Sequence, residues 1–147
     1  VARQLVKHKF LRWNEVSRRY VDYEPEFYEP TVWRKRSKDK KQGSAGEITL
    51  GYKTISTLAK NAVWYRKTYK KLIDDGIAPE QARMTLPLSL MTEWYWSGSM
   101  DAFVDMCNLR CTKDTQLETR EVADKIDNEM SYLFPDSWKA LRSNEHE

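Results

Sequence analysis

Apolar residues along this chain recur with two different periods, and the switches between them mark out its elements. Ile55, Leu58, Ala62, Tyr65, Tyr69, Leu72 and Ile73 fall three and four apart, which predicts a helix over 54–75. Its outer face, Lys60, Arg66, Lys67, Lys70 and Lys71, reads as a solvated basic surface. Gly76 supplies a stop, and Pro79 opens a short helix over 79–85 that Leu86-Pro87 ends. From 88 to 96 the period falls to two. Leu88, Leu90, Thr92, Trp94 and Trp96 alternate with Ser89, Met91, Glu93 and Tyr95, predicting a strand covered on both faces. Ser99 is placed to cap a helix over 99–111 with Met100, Phe103, Val104, Cys107 and Cys111 inward. Thr115 or Asp114 can cap another over 115–133, with Thr119, Val122, Ala123, Ile126, Met130 and Leu133 as its stripe. Pro135 should end it, Trp138 and Leu141 dock a last turn, and the tail to Glu147 is polar.

The first twenty residues combine both periods. A helix over 1–8 sets Gln4, Lys7 and His8 on one face and Ala2, Leu5 and Val6 on the other. A strand over 10–16 follows, Leu11 and Trp13 opposing Arg12 and Asn14. If the extension continues, Glu15, Ser17 and Arg19 project to one side. Between Arg3 and Tyr20, six Lys or Arg side chains and one His meet a single acid, Glu15. That inventory suits a planar polar ring bearing a phosphate, such as a pyrimidine nucleotide. A solvated basic helix and strand would use the same residues.

These elements give an α+β fold: helices on a small, mainly antiparallel sheet too short to stand alone, completed by preceding strands or by oligomerisation. Between the first strand and the long helix lie an acidic, aromatic stretch, 22–30, and a flexible basic loop at about 31–47. Residues 34–41 hold six basic side chains and one acid.

The length of 147 residues suits one domain, 1–147, burying roughly two-thirds of its unfolded surface. A net charge of +3 does not demand nucleic acid but accommodates an anionic small molecule. Cys107 and Cys111 are too few for a disulfide framework and lack a nearby His for metal, so no metal is expected. No apolar run reaches membrane-spanning length, which reads as a cytoplasmic protein.

Lys7-His8-Lys9, seven residues, then Ser17 resembles the Arg-His-Arg, seven residues, Ser signature of flavin-dependent thymidylate synthases. Gln4 before it and Asn14-Glu15-x-Ser17-x-Arg19-Tyr20 agree with the family wording. So do Ala82-Arg83-Met84-Thr85-Leu86-Pro87, and Leu109-Arg110 followed by Gln116 and Glu118. The resemblance covers about 1–20 and 78–126. Lys replaces Arg at 7 and 9, and Ser99 and Asp105 stand where the family often places Asn.

The resemblance implies reductive methylation of dUMP to dTMP, with methylenetetrahydrofolate giving the carbon, FAD carrying the hydride and NADPH reducing the flavin. It implies dUMP contacts from Gln4, Lys7, Glu15, Ser17, Arg19, Arg83 and Arg110, and FAD contacts from Lys7, His8, Lys9, Phe10, Ser99 and Asp105. Arg110 and Ser17 would be the catalytic residues, Arg110 stabilising charge on the pyrimidine and Ser17 positioning it. The residues themselves offer no activated nucleophile: neither Cys lies in an electropositive setting, and Ser17 has no neighbouring base in sequence. Family members form homotetramers with shared active sites, and a flavin-contacting N-terminal portion precedes the matching segment. Two other classes fit parts of the chain: a nucleic-acid-binding module using 34–41, and a structural relative that has lost its cofactor.

Overall fold

The computed structural model describes residues 1–38 and 43–143. Part of the basic loop, 39–42, and the polar tail, 144–147, lie outside the described residues. In order, the elements are α1 (Ala2–Leu5), β1 (Arg12–Glu15), α2 (Tyr52–Asp74), α3 (Pro79–Ala82) with a 3₁₀ turn (Arg83–Thr85), β2 (Trp94–Ser97), α4 (Met100–Arg110), α5 (Leu117–Leu133) and α6 (Pro135–Ser143). β1 and β2 form a two-stranded antiparallel sheet, and the fold is α+β as expected. The chain forms two compact units: residues 1–14, 34–46 and 95–147, and residues 15–33 and 47–94.

The first unit is built on α4. Ala102, Val104, Met106, Cys107 and Arg110 are all buried, so α4 is covered nearly all round rather than along one stripe. Thr119 and Ala123 of α5 and Trp138 of α6 complete this core. Removing a side chain such as Met106 should cost about 2–5 kcal/mol, the range for large-to-small core changes. A polar network docks α6: Trp138 Nε1 donates to Asp127 at 2.9 Å, and Arg142 bonds both Asp127 and Asn108. The turn before α4 requires glycine, because a Cβ on Gly98 would stand 2.5 Å from Leu11 Cδ2 and 3.2 Å from the Phe10 carbonyl.

In the second unit, α2 ends as its sequence predicts. Gly76, at φ +82°, donates to the Ile73 carbonyl and Ile77 to that of Leu72, two bonds that satisfy the helix's last carbonyls. Tyr69 is buried, and its hydroxyl donates to the Val21 carbonyl at 3.4 Å. Arg18, 8% exposed, donates to the carbonyls of Tyr23 (2.7 Å) and Glu24 (3.2 Å). Its guanidinium also lies over the rings of Tyr23 and Tyr69, at 4.6 and 5.6 Å.

Several expected elements are shorter or broken. The helix at the start ends at Leu5, and its strand covers Arg12–Glu15, so the extension that would align Glu15, Ser17 and Arg19 stops at Glu15. The strand over 88–96 is the largest departure. Leu90 turns back on the Pro87 carbonyl, Phe27 and Leu90 form a lone antiparallel bridge, and only Trp94–Ser97 is strand. A proline-initiated turn and a change of partner divide a segment whose alternation is unbroken in sequence. Nor are both faces covered: Leu88 is 84% exposed and Tyr95 75%. Ser99 and Gln116 stand at the caps of α4 and α5, but neither side chain makes a capping bond. Thr115 instead donates to the Leu109 carbonyl. Pro135 ends α5 and also opens α6, longer than the single turn expected. Leu133, expected inward, is exposed.

Candidate functional site

The residues singled out from sequence fall into two groups, one in each unit. In the first unit they gather around Arg110, the last residue of α4. Its Nε donates to Nε2 of His8 at 3.1 Å, and its Nη2 donates to the Gln4 carbonyl at 3.2 Å. The turn after α1, where His8 donates its backbone N–H to the Leu5 carbonyl, presents this imidazole. Because Nε2 accepts, the ring proton sits on Nδ1 and the imidazole is neutral. Burial, then the Arg110 charge, hold the His8 pKa below its ordinary value, and Asp105 opposes them.

Arg110 is 9% exposed, and burial is what lowers its own pKa. Its partners among the described residues, an imidazole and a carbonyl, carry no negative charge. A desolvated guanidinium held by neutral groups keeps its charge uncompensated and attracts an anion. The ring of Trp96 meets His8 edge-on at 6.3 Å and Phe103 at 5.9 Å. Two buried polar atoms here have no partner among the described residues, Gln4 Oε1 and Trp96 Nε1.

The remaining members of this group are not drawn together so closely. Lys7, Lys9 and Phe10 are exposed, Phe10 by 79%. The Ser99 hydroxyl bonds the Asp101 carboxylate, the leading reason that carboxyl lies below its ordinary value. Asp105 is exposed and acts on His8 through its charge.

The second group lines a cleft of about 130 Å³ that holds Glu15, Ser17 and Arg83, with Tyr23, Thr92 and Glu93 beside them. Segment 15–18 supplies one wall and the 3₁₀ turn with residues 86–93 the other. Arg83 is exposed, with one long bond, 3.4 Å, to the Glu80 carbonyl, so its fork is available to a ligand. The Ser17 hydroxyl accepts from the backbone N–H and Nε of Arg19, both at 3.3 Å, which fixes a local turn. Among the described residues it bonds neither a carboxylate nor an imidazole. Arg19 is not among the cleft-lining residues; Arg18 is, but its guanidinium is committed to backbone carbonyls.

Sequence reasoning missed Arg18, Thr92, Glu93 and the indole of Trp96. Arg18 carries no signal separating it from the basic residues around it. In sequence the other three are only members of an alternating strand.

Cys111 is pushed up to about 11 by burial and by its bond to Asp124, and burial pushes Cys107 higher still. Neither thiol is a nucleophile at neutral pH. Among the described residues no cluster of His, Cys, Asp or Glu could hold a metal ion, and no helix is long and apolar enough to cross a membrane. Arg34, at the start of the basic loop, is bonded to Ser44 and paired with Glu118. Burial, the largest single influence, raises the Glu118 carboxyl, but the Arg34 bond, a backbone hydrogen bond and the Arg34 charge together hold the group below its usual range.

A flavin-dependent thymidylate synthase of Thermus thermophilus is 35% identical over 144 residues, covering 98% of this chain and 53% of the relative. One of Treponema denticola is 38% identical over 129 residues, covering 84% and 48%. The chain thus spans about half the length of these curated relatives. Among solved structures, a UMP/dUMP methylase, PolB from Streptomyces cacaoi, bound with 5-Br UMP, superposes with a TM-score of 0.84 at 25% identity. That match covers 97% of this chain and 69% of the other. The profile of the thymidylate synthase complementing protein family matches residues 1–136, and the chain belongs to that family.

Proposed function

We propose that this chain is the nucleotide- and flavin-binding part of an enzyme that converts dUMP to dTMP. Methylenetetrahydrofolate would supply the carbon and NADPH the reducing equivalents, in the cytoplasm. The observation that carries this reading is the buried, uncompensated guanidinium of Arg110. The names of the curated relatives, and that of the structural neighbour, a UMP/dUMP methylase, support the substrate.

In this reading Glu15, Ser17 and Arg83 hold the nucleotide in their cleft, with Arg19 and Lys7 as further contacts. Ser17 orients and does not attack. Arg110 stabilises negative charge as C5 of a pyrimidine becomes nucleophilic, and Gln4 bonds that pyrimidine. His8 and the Gln4 carbonyl fix the guanidinium without neutralising it, so its charge stays available where the reaction develops an anion.

The residues fit a flavin. The unsatisfied donor of Trp96 and acceptor of Gln4 match an imide edge, which an isoalloxazine shares with uracil, and Phe10 offers an open aromatic face. Lys7 and Lys9 would meet its phosphates, His8 would face the ring system, and Ser99 and Asp105 would bond its hydroxyls. When bound, FAD supplies hydride transfer, and the protein supplies binding and polarisation.

Self-association as a homotetramer with shared sites completes the proposal. Tyr20, Tyr52, Met84, Leu88 and Tyr132 are each more than 80% exposed, surface that copies of the chain would cover. Sedimentation equilibrium checks this; a stable folded monomer at every concentration contradicts it. The visible absorption spectrum of the purified chain with added FAD checks the cofactor. A bound-flavin spectrum is expected, and no binding at high FAD concentration would leave a structural relative without cofactor as the better reading.

A further inference from the structure

Trp96 Nε1 is enclosed by protein yet bonds to nothing among the described residues. An indole nitrogen can only donate, so a carbonyl or another acceptor must come from elsewhere. Its direction is fixed, because the ring is held edge-on by His8 at 6.3 Å and by Phe103 at 5.9 Å. Gln4 Oε1, whose residue shares Arg110 with His8, is the complementary case: an acceptor without a donor. We infer that Trp96 is a ligand-binding residue whose indole N–H donates to a carbonyl oxygen of a planar imide, while Gln4 accepts from the imide N–H. This rests on the proposed function, whose two ring systems, uracil and isoalloxazine, both carry that imide.

The competing arrangement is one in which Gln4 Oε1 and Trp96 Nε1 bond each other and no ligand. Trp96→Phe separates the cases, as it keeps the ring contacts and removes only the donor. FAD and dUMP are titrated separately into wild-type and variant chains, by flavin fluorescence and by calorimetry. The inference expects Kd to rise about tenfold for one ligand and little for the other, the scale of one lost hydrogen bond to a bound ligand. Loss confined to FAD assigns the isoalloxazine; loss confined to dUMP assigns the uracil. Unchanged Kd values with a lowered melting temperature show the internal Gln4 pair and overturn the inference, as do unchanged values with no thermal effect.

A second readout covers a variant that does not fold. In ¹⁵N-labelled wild type, one of six indole signals, that of Trp96, should shift downfield when FAD or dUMP is added. A Trp96 signal that stays in place with both ligands bound rules out the contact. A wild-type chain that binds neither ligand overturns the proposed function and this inference with it, whereas binding without a Trp96 effect overturns the inference alone.

Discussion

Arg110 donates its Nε hydrogen to Nε2 of His8 across 3.1 Å, joining residues 102 apart in sequence. The bond exists only while His8 is neutral. Burial and the Arg110 charge keep the His8 pKa below its ordinary 6.5. Between that lowered value and 6.5 the unfolded chain binds more protons than the folded one. The contribution of His8 to stability is therefore complete above pH 6.5 and is lost as pH falls through the lowered value. Proton NMR titration of a His146→Asn chain, which leaves His8 as the sole histidine, should give a pKa under 6.5. Replacing Arg110 with Ala should raise it, and an unmoved value would mean that the pair is not formed in solution.

In the second unit the cleft makes a separate demand. A charge-assisted hydrogen bond lost from a bound nucleotide should cost about 1.5–3 kcal/mol. Arg83→Ala and Arg19→Ala should each raise the dUMP dissociation constant at least about tenfold. Calorimetry on folded variants checks this, and unchanged affinity in both would place the nucleotide elsewhere.

Arg18 sits beside these residues, yet its expected effect is of another kind. Its guanidinium satisfies two carbonyls and stacks on two tyrosines. Arg18→Ala should destabilise the chain by about 1.5–3 kcal/mol, and Arg18→Lys should recover only part, since the planar fork is lost. Urea denaturation measures both. Full rescue by Lys would show that charge alone matters there.

How far such features could be read from the chain depends on the range of the forces behind them. The end of α2 was legible because Gly76 and Pro79 act on their own backbone. Arg110 was legible as a candidate through the Leu109-Arg110 wording of the resemblance, not through its bond to His8. The break in the 88–96 alternation was not, because Pro87 and the bridge from Phe27 to Leu90 replace one partner by another. The role of Arg18 depends on Tyr69, brought close only by folding. The two unpartnered atoms of Gln4 and Trp96 have no local signature at all.

Lys7 and Lys9, which stand in place of Arg in the signature that this stretch resembles, are exposed, and Lys offers a point charge in place of a stacking fork. FAD should bind and yet wash off in purification. The double change Lys7→Arg and Lys9→Arg should tighten FAD more than dUMP, followed by flavin fluorescence at one fixed salt concentration. No gain would mark the lysines as an adapted solution.

In dUMP methylation by these residues, Arg110 is the group that stabilises the reacting pyrimidine. The most direct test is chromatographic measurement of dTMP formed from dUMP, methylenetetrahydrofolate, NADPH and FAD by wild-type and Arg110→Ala chains. The wild type should form dTMP only when FAD is present, and the variant should be about 10²–10³-fold slower, the scale of one lost electrostatic donor. A flavin-bound wild type that makes no dTMP, or a variant that matches it, would contradict this assignment.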